Sequence, residues 1–374
     1  MANIPLSFGV AARRERFLAQ MQERGPSVAL ISDPRHIFYL TGYRAGPRSP
    51  AFLMLRRDET AVLVAGASGS PAVEGVEIHL YEDYSIHHVV ERRRAAAQAL
   101  MGAAHRFSLA KEGPIGVEAF ELPAMAEQAL GGRDRVDVAP ILRAMRACKD
   151  RDEIECIRRS VEVTRAGHAA AREVAIAGTT EVQAYAAIQR ACVLDAREPI
   201  TFDGDFVSGE RSWEIGGPPT QRAMRDGDLF ICDLFPTVAG YWADTTRTFA
   251  VGAASAAQKD LYDLVRAALE RGRSALRPGV RARDVYHEVR AAIAAAGRAE
   301  QFPHHAGHGF GLDPHEPPML IPGDEIELRA GMTVTLEPGV YVEGVGGVRL
   351  EDNYVITEDG ADVIAQCRFG LEAG

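Results

Sequence analysis

Apolar and polar positions change rhythm about 145 residues into the chain. Before that point, short β-branched runs alternate with helical patterns. Phe17, Leu18 and Met21 share one face of a helix starting near Ala11. Continuous apolar runs predict strands at 28–31, 51–55, 61–64 and 115–118, and helical spacing covers 92–101 and 123–130. This alternation predicts an α/β layer structure. Residues 34–43 read as an aromatic-rich turn with Phe38 and Tyr39 packed into the core.

A charged helical stretch, 142–175, leads into the second half, and the domain boundary falls at about Ala147. From there one plan runs twice. In the first pass a helix over 152–175 is followed by a second helix to Ala191, capped by Thr179 or Thr180. A strand at 200–202 and a hairpin over 229–251 complete that pass. The second pass repeats the order with helices at 256–276 and 283–295, separated by Gly279, and a hairpin over 332–356. The repeat rests on element order alone.

Each hairpin carries two acids. Asp233 ends the apolar run Leu229-Phe230-Ile231-Cys232, and Asp244 is expected opposite it beyond the Ala239-Gly240 turn. Glu337 follows Val334-Thr335-Leu336, and Glu351 follows Val348-Arg349-Leu350. A strand that is apolar on both faces is a buried strand, so the acid at its end is not an ordinary surface charge. Between the helices and the second hairpin, four of the chain's eleven histidines fall within residues 303–316, interleaved with Gly307, Gly309 and Gly311. Histidine serves as a neutral metal ligand and as a proton shuttle. Two facing hairpins would gather Asp233, Asp244, Glu337 and Glu351 around His308. Four buried carboxylates without cations repel one another strongly. Divalent ions remove the conflict, and this donor set suits manganese first, with cobalt, zinc or iron as alternatives.

Composition narrows the partners. A formal net charge of −10 argues against nucleic acid or an anionic membrane surface. No apolar run reaches the roughly 18 residues of a membrane span. Residues 1–5 lack the pattern of a secretory signal. The five cysteines are scattered, with no Cys-x-x-Cys pair, which predicts reduced thiols in a cytoplasm.

Three segments carry a resemblance. They are 230–249, with Asp233 and Gly240-Tyr241-Trp242-Ala243-Asp244-Thr245-Thr246-Arg247; Gly307-His308-Gly309 through His315-Glu316; and Leu336-Glu337-Pro338-Gly339-Val340-Tyr341 with Val348-Arg349-Leu350-Glu351-Asp352. They resemble the pita-bread metallopeptidases, whose members include Xaa-Pro dipeptidases (prolidases), Xaa-Pro aminopeptidases and the related creatinase. The resemblance implies an α/β (α+β) protein of two domains. Residues 1–146 would form a creatinase-type N-terminal domain, with Tyr39-Leu40-Thr41-Gly42 as its most recognisable piece. Residues 147–374 would form a pita-bread domain with an internal pseudo-twofold repeat. It further implies that Asp233, Asp244, His308, Glu337 and Glu351 bind two divalent ions. Glu337 would act as general base, and His304 and His315 would act on the substrate. Arg349, Tyr341 and Trp213 would line the substrate site, and a homodimer is expected.

One departure stands out. The family's upstream active-site histidine falls here at Gly216, within Trp213-Glu214-Ile215-Gly216-Gly217. A wider pocket, poorer in donors, is expected there. The reading is therefore a metal-dependent hydrolase that cleaves the amide bond before proline in short peptides. The rival reading is a non-peptidase of the same fold, acting on a small zwitterion. A metal-free binding module is a third, disfavoured by five intact ligands.

Overall fold

The structure is a computed structural model that describes residues 9–46, 48–69, 72–107 and 113–372. The five N-terminal residues read for a signal lie outside it. The chain divides into two compact units, one ending at Arg146 and one starting at Ala147.

The first unit is built on a six-stranded sheet in the order Glu77–Tyr81, Ala61–Gly66, Phe52–Arg56, Val28–Ile31, Ile115–Val117, Arg135–Asp137. Two edge strands, Glu77–Tyr81 and Arg135–Asp137, escaped the sequence reading because they mix polar with apolar residues and are only partly covered. Residues 34–41 form a helix, not a turn. Asp33 caps its N-terminus through the Arg35 N–H, Pro34 suits the first turn, and Gly42 closes it at φ 72°. Phe38 and Tyr39 are buried, as their aromatic character predicts.

The stretch 142–175 breaks into Ala139–Ala147, at the end of the first unit, and Arg151–Val174, in the second. Asp150 starts the second helix with a capping box closed by Glu153. Thr180 and Gln183 form the same device ahead of Glu181–Ala196. The first hairpin is Leu229–Val238 against Thr245–Ala250, with Thr201–Asp203 and Phe206–Ser208 added along the first of these strands. The second pass builds a sheet in the order Glu316–Met319, His308–Gly309, Thr333–Leu336, Asp352–Ile356, Ala361–Val363. Its hairpin is interrupted. Thr333–Leu336 pairs with Asp352–Ile356, and beyond the break Gly339–Val342 pairs with Gly346–Arg349. Glu337 and Glu351 occupy the two breaks.

The duplication is visible in atoms as well as in element order. Gly167 sits where its helix crosses the first sheet, and a Cβ there would lie 2.6 Å from Leu234 Cδ1 and 2.7 Å from Cys192 Sγ. Gly272 does the same in the second pass, facing Leu336 Cδ2 at 3.2 Å and Val289 Cγ2 at 2.6 Å. Leu234 follows Asp233, and Leu336 precedes Glu337. Each helix pair therefore presses on the strand that carries an acid. A second correspondence lies at the sheet edges. Gly204 has φ 158°, and a Cβ would meet the Asp233 carbonyl oxygen at 2.0 Å. Gly307 has φ 151°, and a Cβ would meet the Thr335 carbonyl oxygen at 2.1 Å. Only glycine fits that conformation and that approach. Two residues after each glycine, Phe206 pairs with Cys232 and Gly309 pairs with Val334. Asp205 is thus the first-pass counterpart of His308.

Close packing at Gly167 makes it a test of the fold. Gly167→Ala should lower unfolding free energy by about 1–3 kcal/mol through overpacking. Equilibrium denaturation measures this, and an unchanged midpoint would show that the helix has room to shift.

Candidate metal centre

Asp233 lies in mid-strand, with Thr246 opposite it in the ladder. Asp244 is not directly opposite, as the hairpin reading expected. It falls in the gap between Tyr241–Trp242 and Thr245–Ala250, where its N–H donates to Asn353 Oδ1 at 3.3 Å and its carbonyl accepts from Asn353 Nδ2. His308 starts a short strand and is buried. Its Nδ1 donates to the Gly309 carbonyl at 3.0 Å, which leaves the Nε2 lone pair for a ligand role. That Nε2 lies 3.4 Å from Asp244 Oδ2 and 3.3 Å from Glu337 Oε1. Asp244, His308 and Glu351 each offer an atom within 4.8 Å of the others. Asp233 adjoins Asp244.

The acids here are not satisfied as other buried acids in this protein are. Glu181 is wholly buried and accepts from the N–H and hydroxyl of Ser208 (2.8 Å each), those of Thr220 (2.9 and 2.7 Å) and Arg211. By contrast, Asp233 Oδ1, Asp244 Oδ1 and Glu351 Oε1 are buried with no hydrogen-bond partner among the described residues. Burial pushes the Asp244 carboxyl well above the usual range, and Asp233 and Glu337 add to it. Burial does the same to Glu351, with Asp244 and Glu337 adding. Burial also raises Asp233, against the pull of Arg349. Glu337 goes the other way. Burial opposes its charge, but His305, His308 and His304 together draw it below the usual carboxylate range. Buried, unsatisfied oxygen atoms facing one another beside an imidazole nitrogen are a donor set that suits divalent ions. These residues fit such ions.

The surrounding groups fix the donors. Thr246 Oγ1 donates to Glu351 Oε2 at 2.9 Å, and Thr335 Oγ1 reaches Glu337 Oε1 at 3.3 Å. Arg247, fully buried, donates to the carbonyls of Thr246, Glu351 and Cys367 and to Asp352 Oδ1 at 2.6 Å. A buried Lys149–Glu316 pair at 3.1 Å holds the segment that follows His315. Sequence reasoning passed over all of these, because their role is to bond other site residues and leaves no spacing signal.

The expected substrate-facing residues are placed as follows. His315 is exposed and stacks on His308 with ring centroids 4.0 Å apart. His304 uses both nitrogens internally, Nδ1 with the His305 carbonyl at 2.7 Å and Nε2 with Tyr341 Oη at 2.9 Å. It therefore orients Tyr341 with one ring nitrogen and is held by the His305 carbonyl through the other. Burial pushes the His304 imidazole down to about 4, and partial desolvation against the His308 ring, with His308 adding, brings the outward-facing His315 down to about 4 as well, so both are neutral at pH 7. His305, given no role in the sequence reading, lies 3.3 Å from Glu337 Oε1. Four histidines in an irregular loop have no periodicity to show which of them turns inward. Trp213 packs beside Val207, Ile231 and Tyr341.

Arg349 also departs from expectation. Its Nε donates to Thr246 Oγ1 (3.1 Å) and Nη1 to the Ile215 carbonyl (3.0 Å) and Tyr341 Oη (3.4 Å). Its Nη2 is shared between Asp205 Oδ2 (2.7 Å) and Asp233 Oδ2 (2.5 Å). With every nitrogen engaged, it has no donor left for a substrate. The open space expected at Gly216 is filled as well, since a Cβ there would lie 2.1 Å from Asp205 Oδ2. A separate cavity of about 1500 Å³, lined by His168, Arg172, Asp352 and Cys367 among others, includes none of the five convergent residues.

Comparison with known proteins agrees with this geometry. The chain belongs to metallopeptidase family M24, which it matches over residues 155–358, and residues 13–148 match the creatinase/prolidase N-terminal domain. It is 27% identical to an Xaa-Pro dipeptidase of Pyrococcus furiosus over 349 residues, covering 93% of this chain and 96% of that one. Among solved structures it resembles the prolidase of Pyrococcus horikoshii OT3, with TM-score 0.83, 25% identity and coverage of 96% and 99%. A dipeptidase of the same organism gives TM-score 0.82 at 28% identity, with the same coverage. The two-domain fold is thus a creatinase-type domain followed by a pita-bread domain, and the family implies divalent metal ions.

Raised carboxyls make a thermodynamic prediction. Asp244 and Glu351 hold protons more tightly in the metal-free folded protein than in water, so metal binding within their raised titration range displaces protons. Titrating Mn²⁺ into chelator-stripped protein in buffers of different ionisation enthalpy should show proton release. Asp244→Ala should abolish tight binding and lower the melting temperature measured with metal present. Buffer-independent enthalpies would contradict the assignment.

Proposed function

We propose that this protein is a dinuclear metallopeptidase that cleaves the amide bond preceding proline in dipeptides or short peptides. The observation that carries the reading is the set of unpartnered buried oxygens on Asp233, Asp244 and Glu351 around His308. Asp233, Asp244, His308, Glu337 and Glu351 would hold two divalent ions, manganese being the first candidate. Bound there, such ions supply Lewis-acid polarisation and acidify water. Glu337, whose carboxyl lies below the usual range, takes the proton from the attacking water. His315, neutral and exposed beside His308, donates to the oxygen on which charge develops. His304 and Tyr341 hold Arg349 in register with Asp233. A homodimer in a reducing cytoplasm completes the reading, and free thiols on all five cysteines accord with that compartment.

The direct test is hydrolysis of an Xaa-Pro panel beside peptides lacking proline and small zwitterionic amides. Cleavage restricted to Xaa-Pro, lost on chelation and restored by Mn²⁺ or Co²⁺, is expected. Cleavage of the zwitterions alone would favour the non-peptidase reading. His315→Ala should lower turnover by roughly 10²–10³-fold, the cost of one oxyanion donor. Metal content by elemental analysis should not change. Loss of metal would reassign His315 as a ligand.

A further inference from the structure

The first repeat has its own side chain at the place where the second repeat supplies His308. Asp205 follows the left-handed Gly204 as His308 follows Gly307, and each precedes the residue that pairs with the central strand. His308 approaches Asp244 and Glu337 from one edge. Asp205 approaches Asp233 from the other, through the Arg349 Nη2 that both acids share. The two acids differ in exposure: the Asp205 side chain is 28% exposed and that of Asp233 4%.

The Arg349 and Tyr341 donors in this corner are spent. Arg349 is saturated by Thr246, Ile215, Tyr341, Asp205 and Asp233, and Tyr341 is engaged with His304. Residue 216 has no side chain to offer. Gly217 turns its N–H onto Asp205 Oδ1 at 2.9 Å. Asp205 accepts that bond on one oxygen and the Arg349 bond on the other, so each oxygen keeps a lone pair. The turn beside it is strained: Ile215, β-branched, sits at φ 79°, and the Gly216 N–H reaches back to the Glu214 carbonyl at 3.1 Å. Arg349 grips this turn at the Ile215 carbonyl and Asp205 grips it at Gly217. The polar group this corner presents to a ligand is therefore a fixed, negatively charged acceptor.

We propose that Asp205 receives a cationic group of the substrate, namely the free ammonium at a peptide's N-terminus, beside the metal-binding Asp233. The inference rests on the peptidase reading and adds which end of the substrate lies here. An acceptor repels a C-terminal carboxylate and cannot donate to a carbonyl. In a dipeptide the ammonium is separated from the scissile carbonyl by one carbon. A lysine or arginine charge sits at the end of a long flexible stem and fits a position beside Asp233 less well.

The test compares wild type with Asp205→Asn and Asp205→Glu, all metal-loaded. Asp205→Asn should raise KM about 10-fold or more for Ala-Pro and Lys-Pro alike, the scale of a lost charge-assisted bond, with kcat within about threefold. Calorimetry with alanine N-methylamide and its N-acetylated form should show that wild type prefers the free ammonium. Asn at 205 should erase that preference, and Glu should keep part of it. A KM effect confined to Lys-Pro would make a basic side chain the cation and overturn the assignment. Equal binding of both amides by wild type would overturn it too. So would metal loss in Asp205→Asn that Asp205→Glu restores, because Asp205 would then serve only to hold Arg349 and Asp233. If wild type cleaves no Xaa-Pro peptide but keeps an Asp205-dependent preference for the free amide, the Xaa-Pro reading fails and the ammonium site stands.

Discussion

Mutual repulsion among buried carboxylates governs this structure. Asp233, Asp244, Glu337 and Glu351 are each less than a tenth exposed, and they adjoin one another. Within the protein they face one arginine and the imidazoles of His305 and His308, which do not saturate their oxygens. Burying an ion without compensation costs several kcal/mol. A chain that buried acids only for architecture would satisfy them as it satisfies Glu181. The failure to do so here is selective. It falls on the residues that can share divalent ions, and it is strongest at Asp244 and Glu351, whose carboxyls are raised furthest.

Holding such a set together takes rigidity from outside it, and the repeat supplies that. Each helix pair bears on a strand through a glycine without a side chain, Gly167 against Leu234 and Gly272 against Leu336. Arg247 then ties the strands of the two hairpins together, bonding Thr246 on one and the Glu351 carbonyl and Asp352 on the other. Its own charge is offset by Asp352, so it adds no free cation to the carboxylate cluster. Asn353 performs the neutral part of the same task at Asp244. Strain and repulsion at the centre persist because hydrogen bonds at the rear leave the strands nowhere to go.

What could be read from sequence follows from this arrangement. Asp233 and Glu337 were legible because an acid at the end of an apolar strand has no surface explanation. The helices of the second half were legible through apolar spacing and through the Thr180 cap. The 34–41 helix was missed because the aromatic content of the segment outweighed its Asp-Pro start and its Gly42 stop. The interruption of the last hairpin was missed because Pro338 and the glycines at 344, 346 and 347 suggest one turn, whereas the chain changes partners at Glu337 and Glu351. Asp205 left no trace at all. A lone acid between Gly204 and Phe206 reads as a loop residue until the register shows what it faces.

The same register explains why the absence of a side chain at 216 does not open the site. The Asp205 carboxylate and a side chain at 216 would compete for one volume, and Asp205 is anchored there by Arg349 and by the Gly217 N–H. The two features are therefore one solution: glycine at 216 is a condition for an acid at 205. Duplication provided two equivalent backbone positions flanking the cluster. One carries an imidazole that faces Asp244 and Glu337. The other carries a carboxylate that needs Arg349 as counter-ion, and Arg349 in turn shares its charge with Asp233. Asp205 and Asp233 are thereby linked through one guanidinium.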